Sequence, residues 1–170
     1  MKQAFCIAVL VASCFTPVMH AQTAASACPA TSTIDELVKA LDDAVSGPAD
    51  KDRTCLRELI LPEGRLIPMS KGPDGKLIPR ILTVDGWIDR VKARGKEVLS
   101  ERQVKYSVDV YGQIAHLWTT YELHLASDDK ATIRGINSIQ AVYDGTQWKV
   151  IEILWKAESP SEPVPQKYLP

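Results

Sequence analysis

Apolar residues recur at helical spacing at Ile34, Leu37, Val38, Leu41, Ala44 and Val45, which predicts an amphipathic helix. Thr33, with Glu36 three residues on, is the capping box that starts it, and Ser46-Gly47-Pro48 stops it. A shorter helix is expected over residues 50–61, burying Cys55, Leu56, Leu59 and Ile60 and closed by Pro62 and Gly64. Residues 65–69 and 76–82 read as short extended pieces around the turn Gly72-Pro73-Asp74-Gly75. Proline cannot donate to a ladder, so Pro68 and Pro79 place both pieces at a sheet edge or in a loop. Thr83 caps a third helix with Val84, Trp87, Ile88 and Val91 on one face, ended by Gly95.

The period then changes from helical to alternating. Val104, Tyr106, Val108 and Val110 alternate with Lys105, Ser107, Asp109 and Tyr111, a strand with one wet face. Residues 114–126, 131–143 and 147–157 read as three longer strands. Helices first and an antiparallel meander last is an α+β order, with the curved sheet wrapped around the helices. The proline-rich residues 158–170 are expected to form a mobile tail.

Asp144-Gly145 between two strands predicts a two-residue hairpin. That register pairs Tyr143 with Thr146, Ile139 with Val150, Asn137 with Glu152, Ile136 with Ile153 and Arg134 with Trp155. Two expectations follow. Glu152 and Asn137 become a carboxylate and an amide within an apolar lining, where desolvation suits Glu152 to proton transfer. Arg134, Ile136, Ile151, Ile153 and Trp155 become an outer apolar face, read as a homodimer interface. The hairpin between residues 114 and 143 stays open in register: an even loop sets Thr120 opposite Asn137, whereas a one-residue bulge substitutes Thr119 and Tyr121.

The first residues add a compartment. Met-Lys-Gln is followed by an apolar run from Ala4 to Phe15, the layout of a secretory signal peptide ending near Ala21. Residues 22–30 are then an N-terminal arm and residues 31–157 the domain. A rival reading takes Val11-Ala12-Ser13-Cys14 as a lipobox, anchoring the protein to a membrane through Cys14. Export favours a disulfide between Cys28 and Cys55, the two cysteines that follow the leader.

Composition narrows the function classes. The chain of 170 residues has a formal net charge of −1, so no basic excess drives nucleic-acid binding. Cofactor and nucleophile motifs are absent, and His116, Glu122 and His124 are spaced too widely along a strand for a metal site.

Three segments carry a family likeness: Gln113-Ile114-Ala115-His116-Leu117-Trp118-Thr119-Thr120-Tyr121-Glu122, Arg134-Gly135-Ile136-Asn137-Ser138-Ile139-Gln140 and Asp144-Gly145-Thr146-Gln147-Trp148-Lys149-Val150. With the element order, they resemble the nuclear-transport-factor-2-like superfamily and, within it, the bacterial SnoaL-like proteins. The resemblance implies a cone-shaped roll with an apolar pocket at its open end, usually dimeric. It leaves function open, since relatives include isomerases, cyclases, dehydratases and binders. The tyrosine that ketosteroid isomerase carries on its first helix has no counterpart among the inward Ile34, Leu37, Val38 and Leu41. The expected ligand is a small apolar or amphipathic molecule, lined by Trp87, Tyr106, Tyr121, Asn137 and Glu152. The alternatives are a cofactor-free isomerase, lyase or cyclase using Glu152 with Asn137 or Tyr121, and a non-catalytic dimerisation module.

Overall fold

The computed structural model describes residues 28–125 and 133–170. The leader, the lipobox cysteine, residues 22–27 of the arm and the loop at residues 127–130 lie outside the described residues. Helix α1 (Ile34–Val45) begins at the expected box: Thr33 accepts from the Glu36 N–H, and the Glu36 carboxylate accepts from the Thr33 N–H. Its buried side is Leu37, Val38, Ala40, Leu41 and Ala44. A two-residue strand, β1 (Gly47–Pro48), follows, then α2 (Thr54–Leu59), β2 (Ile60–Lys71), β3 (Leu77–Pro79), α3 (Val84–Lys92), β4 (Val98–Tyr111), β5 (Ile114–Leu125), β6 (Ile133–Tyr143) and β7 (Trp148–Ala157).

The second helix is shorter than expected. The Asp52 carboxylate takes the Thr54 N–H and hydroxyl, residues 51–53 are irregular, and the helix starts at Thr54. Pro62 does not close it off in a loop, because the chain passes directly into β2. Pro62 falls in the irregular stretch between Ile60 and Arg65, where the ladder requires nothing from it.

The seven strands form one sheet in the order β1-β4-β5-β6-β7-β2-β3. All pairings are antiparallel except β2 with β7. Pro68 therefore lies inside the sheet, opposite Trp155, and its carbonyl accepts from the Arg80 N–H on the other side. The concave face packs on the helices. The core joins Leu37, Leu41, Leu56 and Ile88 to Leu117, Ile139, Val150 and Ile153. Burying such side chains stabilises the fold by about 1.5–3 kcal/mol each.

The β6–β7 register departs from expectation twice. The hairpin tip is Gly145-Thr146, not Asp144-Gly145. The Asp144 carboxylate accepts from Thr146 N–H and hydroxyl and from Gln147 N–H, at 2.7–2.9 Å, which holds Asp144 at the strand end. Gly145 takes the positive φ of 102° that this tip requires. Tyr143 therefore faces Trp148 and Ala141 faces Val150. One residue is then extra on β7, between Val150 and Glu152, and this bulge reverses the sides of all that follows. Beyond it Ile139 faces Ile153, and Asn137 faces Trp155.

The β5–β6 pairing takes the second of the two expected registers, with Thr119 opposite Asn137 and Tyr121 opposite Gly135. Residues 158–170, expected as a mobile tail, lie across the outer face of the sheet and end in a short 3-10 turn at Gln166–Tyr168. The expected Cys28–Cys55 disulfide is present, tying the arm to α2.

Candidate functional site

A cavity of about 200 Å³ lies between the concave sheet and the helices. Its walls are mostly apolar: Leu41, Leu56, Trp87, Ile139, Ile153 and Trp155. Its polar groups are Glu101 and Gln103 from β4, Tyr121 from β5 and Asn137 from β6, with Arg94 after α3. These strands are neighbours, so alternate residues of each converge on one spot.

The polar groups form a connected network. Gln103 is held from α1, where Asp42 accepts its backbone N–H at 3.1 Å and its side-chain amide at 3.2 Å. The same amide nitrogen reaches Glu101 Oε1 at 3.2 Å. The Gln103 carbonyl oxygen accepts from Asn137 Nδ2 at 3.0 Å and from the Thr119 hydroxyl. Thr119 and Asn137 are both buried.

Burial pushes the Glu101 carboxyl up to about 7, and the Asp42 charge adds to the rise; hydrogen bonds from Gln103 and Asn137 and the Arg94 charge pull it back. Asp42 is itself raised, chiefly by burial. Tyr121 is raised by burial and then by the charges of Glu101 and Glu158, so its phenol stays protonated. The site holds one group that gains or loses a proton near neutrality, with amide donors and a phenol beside it.

Of the residues the sequence pointed to, Trp87, Tyr121 and Asn137 line this cavity. Glu152 does not. The β7 bulge turns it to the outer side, opposite Gln140 and beside Arg65. Tyr106 faces inward but lies over the start of α1, donating its hydroxyl to Asp35, and this bond pushes the phenol up to about 12. The pocket carboxylate is Glu101, which the alternation beginning at Val104 left out. The available signal was the earlier alternation of Leu99, Glu101 and Gln103 with Ser100 and Arg102, interrupted by a register shift between Gln103 and Lys105.

The expected outer face is also redrawn. Ile136 and Ile151 lie outside the cavity, whereas Ile153 and Trp155 line it. Arg134 does not face Trp155, which lies opposite Asn137; its guanidinium pairs with Glu122 across β5 and β6, with Nε to Oε1 at 2.9 Å. His116 reaches Ser138 at 3.2 Å, away from Glu122 and His124. Among the described residues no three His, Cys, Asp or Glu side chains gather as a metal site.

Three helices within a curled, mainly antiparallel sheet, with a cavity between them, define the cone-shaped α+β class. More particularly, the chain has the nuclear-transport-factor-2-like fold. It is similar to a protein of that fold, of unknown function, from Shewanella baltica, at TM-score 0.51 and 14% identity over 74% of this chain and 90% of that one. Another from Pseudomonas putida, also of unknown function, matches at 0.52 and 11% identity over 81% and 91%. A protein assigned as the beta subunit of an aromatic-ring-hydroxylating dioxygenase, from Novosphingobium aromaticivorans, matches at 0.54 and 14% over 74% and 87%. No known family model and no curated protein matches the chain.

Proposed function

We propose that this protein is an exported binding domain for a small, largely apolar molecule carrying one hydrogen-bonding group. The observation that supports it best is the cavity itself. Its apolar walls meet a polar end in which Glu101, Gln103 and Asn137 are already bonded to one another, a layout that orients a ligand. Export is supported by the leader-like residues 1–21 and by the Cys28–Cys55 bridge, which persists in oxidising compartments.

The test pairs 2-naphthol with naphthalene, followed by Trp fluorescence. Both are expected to bind, with 2-naphthol the tighter by ten-fold or more, a difference of about 1.4 kcal/mol. The preference disappears in Asn137→Leu and Glu101→Leu. Binding of neither probe, or equal preference in all three proteins, overturns the reading. Intact mass of protein exported from a bacterial host checks cleavage near Ala21 against lipid attachment at Cys14.

A second reading is cofactor-free proton transfer, favoured by one observation: Glu101 titrates near neutrality while facing the cavity. Deuterium exchange at the α-carbon of 2-tetralone, followed by proton NMR, detects it. Exchange abolished in Glu101→Gln supports an enzyme; exchange at the buffer rate leaves a binder.

A further inference from the structure

The mouth of the cavity carries charge of one sign. Of the lining residues, Arg94, Ile133 and Ala157 are exposed, so the cavity opens between the α3–β4 connection, the start of β6 and the end of β7. From Arg90 to Lys96 the chain has four basic side chains and no acidic one, in a protein whose formal net charge is −1. All four are exposed, and among the described residues none of them forms an ion pair. Arg90 and Lys92 stand in the last turn of α3, where a cation complements the carbonyl end of the helix. Arg94 lies past the Ala93 cap and serves the cavity instead. It lines the wall, and its charge reaches Glu101 on β4.

The other polar groups are mostly engaged with one another. The Gln103 carbonyl oxygen takes the Asn137 amide and the Thr119 hydroxyl, and its amide nitrogen serves Asp42 and Glu101. Gln103 therefore positions its neighbours and has nothing left to offer a ligand. Arg94 and Glu101 remain. A guanidinium presents a planar fork that fits a carboxylate with two parallel hydrogen bonds, and the apolar walls beside it strengthen the attraction. Glu101 holds its proton below about 7, so in that range it donates to an anion and does not repel it.

Resting on the binding reading above, we propose that the hydrogen-bonding group of the ligand is a carboxylate, held by Arg94 at the mouth while the apolar body lies against Leu56, Trp87 and Ile139. The ligand class is an aryl or alkyl monocarboxylate. Arg94 is the one cation among the described residues that line the cavity, which matches a single carboxylate. Arg90, Lys92 and Lys96 add a positive field around the opening that draws such an anion in.

Calorimetric titration with 2-naphthoate and its neutral amide, 2-naphthamide, tests this, because the two share a ring system and nearly a shape and differ in charge. At about pH 6 the naphthoate is ionised. The carboxylate is expected to bind ten-fold or more tightly than the amide, with the advantage shrinking as salt is added. Arg94→Gln is expected to bring 2-naphthoate down to the level of 2-naphthamide, whose binding to the variant shows that the cavity is intact. Arg94→Lys, which keeps the charge without the fork, is expected to retain part of the advantage. An amide that binds as tightly as the carboxylate overturns the proposal and leaves the binding reading standing. A carboxylate advantage that survives Arg94→Gln overturns it too. Binding of neither probe, nor of 2-naphthol, defeats the binding reading and this proposal with it.

Discussion

Asp42 of α1 holds Gln103 of β4 at two points, its Oδ2 accepting the backbone N–H at 3.1 Å and its Oδ1 the side-chain amide at 3.2 Å. With its amide nitrogen engaged, Gln103 must turn its carbonyl oxygen toward Asn137 and Thr119. One helix carboxylate thus fixes the orientation of the cavity's amides. Asp42→Asn is expected to destabilise the protein by about 1–3 kcal/mol, because a buried acceptor pair becomes partly a donor. It also removes a charge that raises Glu101. Urea unfolding checks the first effect. Carbon NMR titration checks the second, with the Glu101 midpoint falling below about 7; an unmoved midpoint removes Asp42 as a cause.

Gly135 lies beneath the Tyr121 ring. A Cβ at this position would be 2.7 Å from the ring Cε1 and phenol oxygen and 2.3 Å from the Lys156 carbonyl oxygen. The backbone oxygen belongs to a ladder and cannot swing aside. Gly135→Ala is therefore expected to cost about 1–3 kcal/mol or more, read from the denaturation midpoint. Adding Tyr121→Leu should recover less than half of the loss, since the clash with Lys156 remains. Full recovery would place the obstacle in the ring alone.

Much of the fold was legible because helix signals are local. The capping box at Thr33 and the apolar spacing of α1 lie within a dozen residues and need no partner to interpret. The strands were legible as strands, but their faces were not. Side chains alternate with period two, so each inserted residue reverses everything beyond it. The bulge between Val150 and Glu152 sent Glu152 outward and brought Ile153 and Trp155 in. Asp144 added a two-residue shift by spending its carboxylate on Thr146 and Gln147, a preference the Asp-Gly pair alone does not reveal. Glu101 was hidden for the complementary reason. Its importance rests on Asp42 of α1 and Asn137 of β6 acting on it from other elements, beside Gln103 two residues along its own strand.

The Cys28–Cys55 disulfide closes a loop over a sequence separation of 27. The chain-entropy account gives such a bridge about 3–4 kcal/mol. The arm has a second anchor, since the Trp148 N–H donates to the Thr31 carbonyl and the Thr31 hydroxyl donates to the Trp148 carbonyl, each at 2.8 Å. Cys28→Ser/Cys55→Ser is therefore expected to lower the melting temperature while leaving the arm docked. Near-ultraviolet circular dichroism, sensitive to the paired rings of Tyr143 and Trp148, should keep its native shape. A lost signal would mean that the bridge alone holds the arm.

Glu101 makes the fold's stability depend on pH in a set direction. Its folded-state value of about 7 lies above the ordinary 4.5, so the folded protein retains a proton that the unfolded chain has released. Stability is then full below about pH 4.5, falls as pH rises through 7 and levels off above it. The expected loss is about 3 kcal/mol between the two limits. Asp42, also raised, acts in the same direction. Carboxylates held low, Asp52 and Asp144, act only in more acid solution, so the window from pH 5 to 8 isolates the pocket. Glu101→Gln keeps the shape and cannot ionise. It is expected to flatten the fall, with only the smaller Asp42 slope remaining, and to be more stable than the unaltered protein at pH 8. Urea unfolding at pH 5 and pH 8 for both proteins measures this. Parallel profiles would show that Glu101 ionises as an ordinary solvated carboxylate, and the cavity would then lose its one group suited to proton transfer.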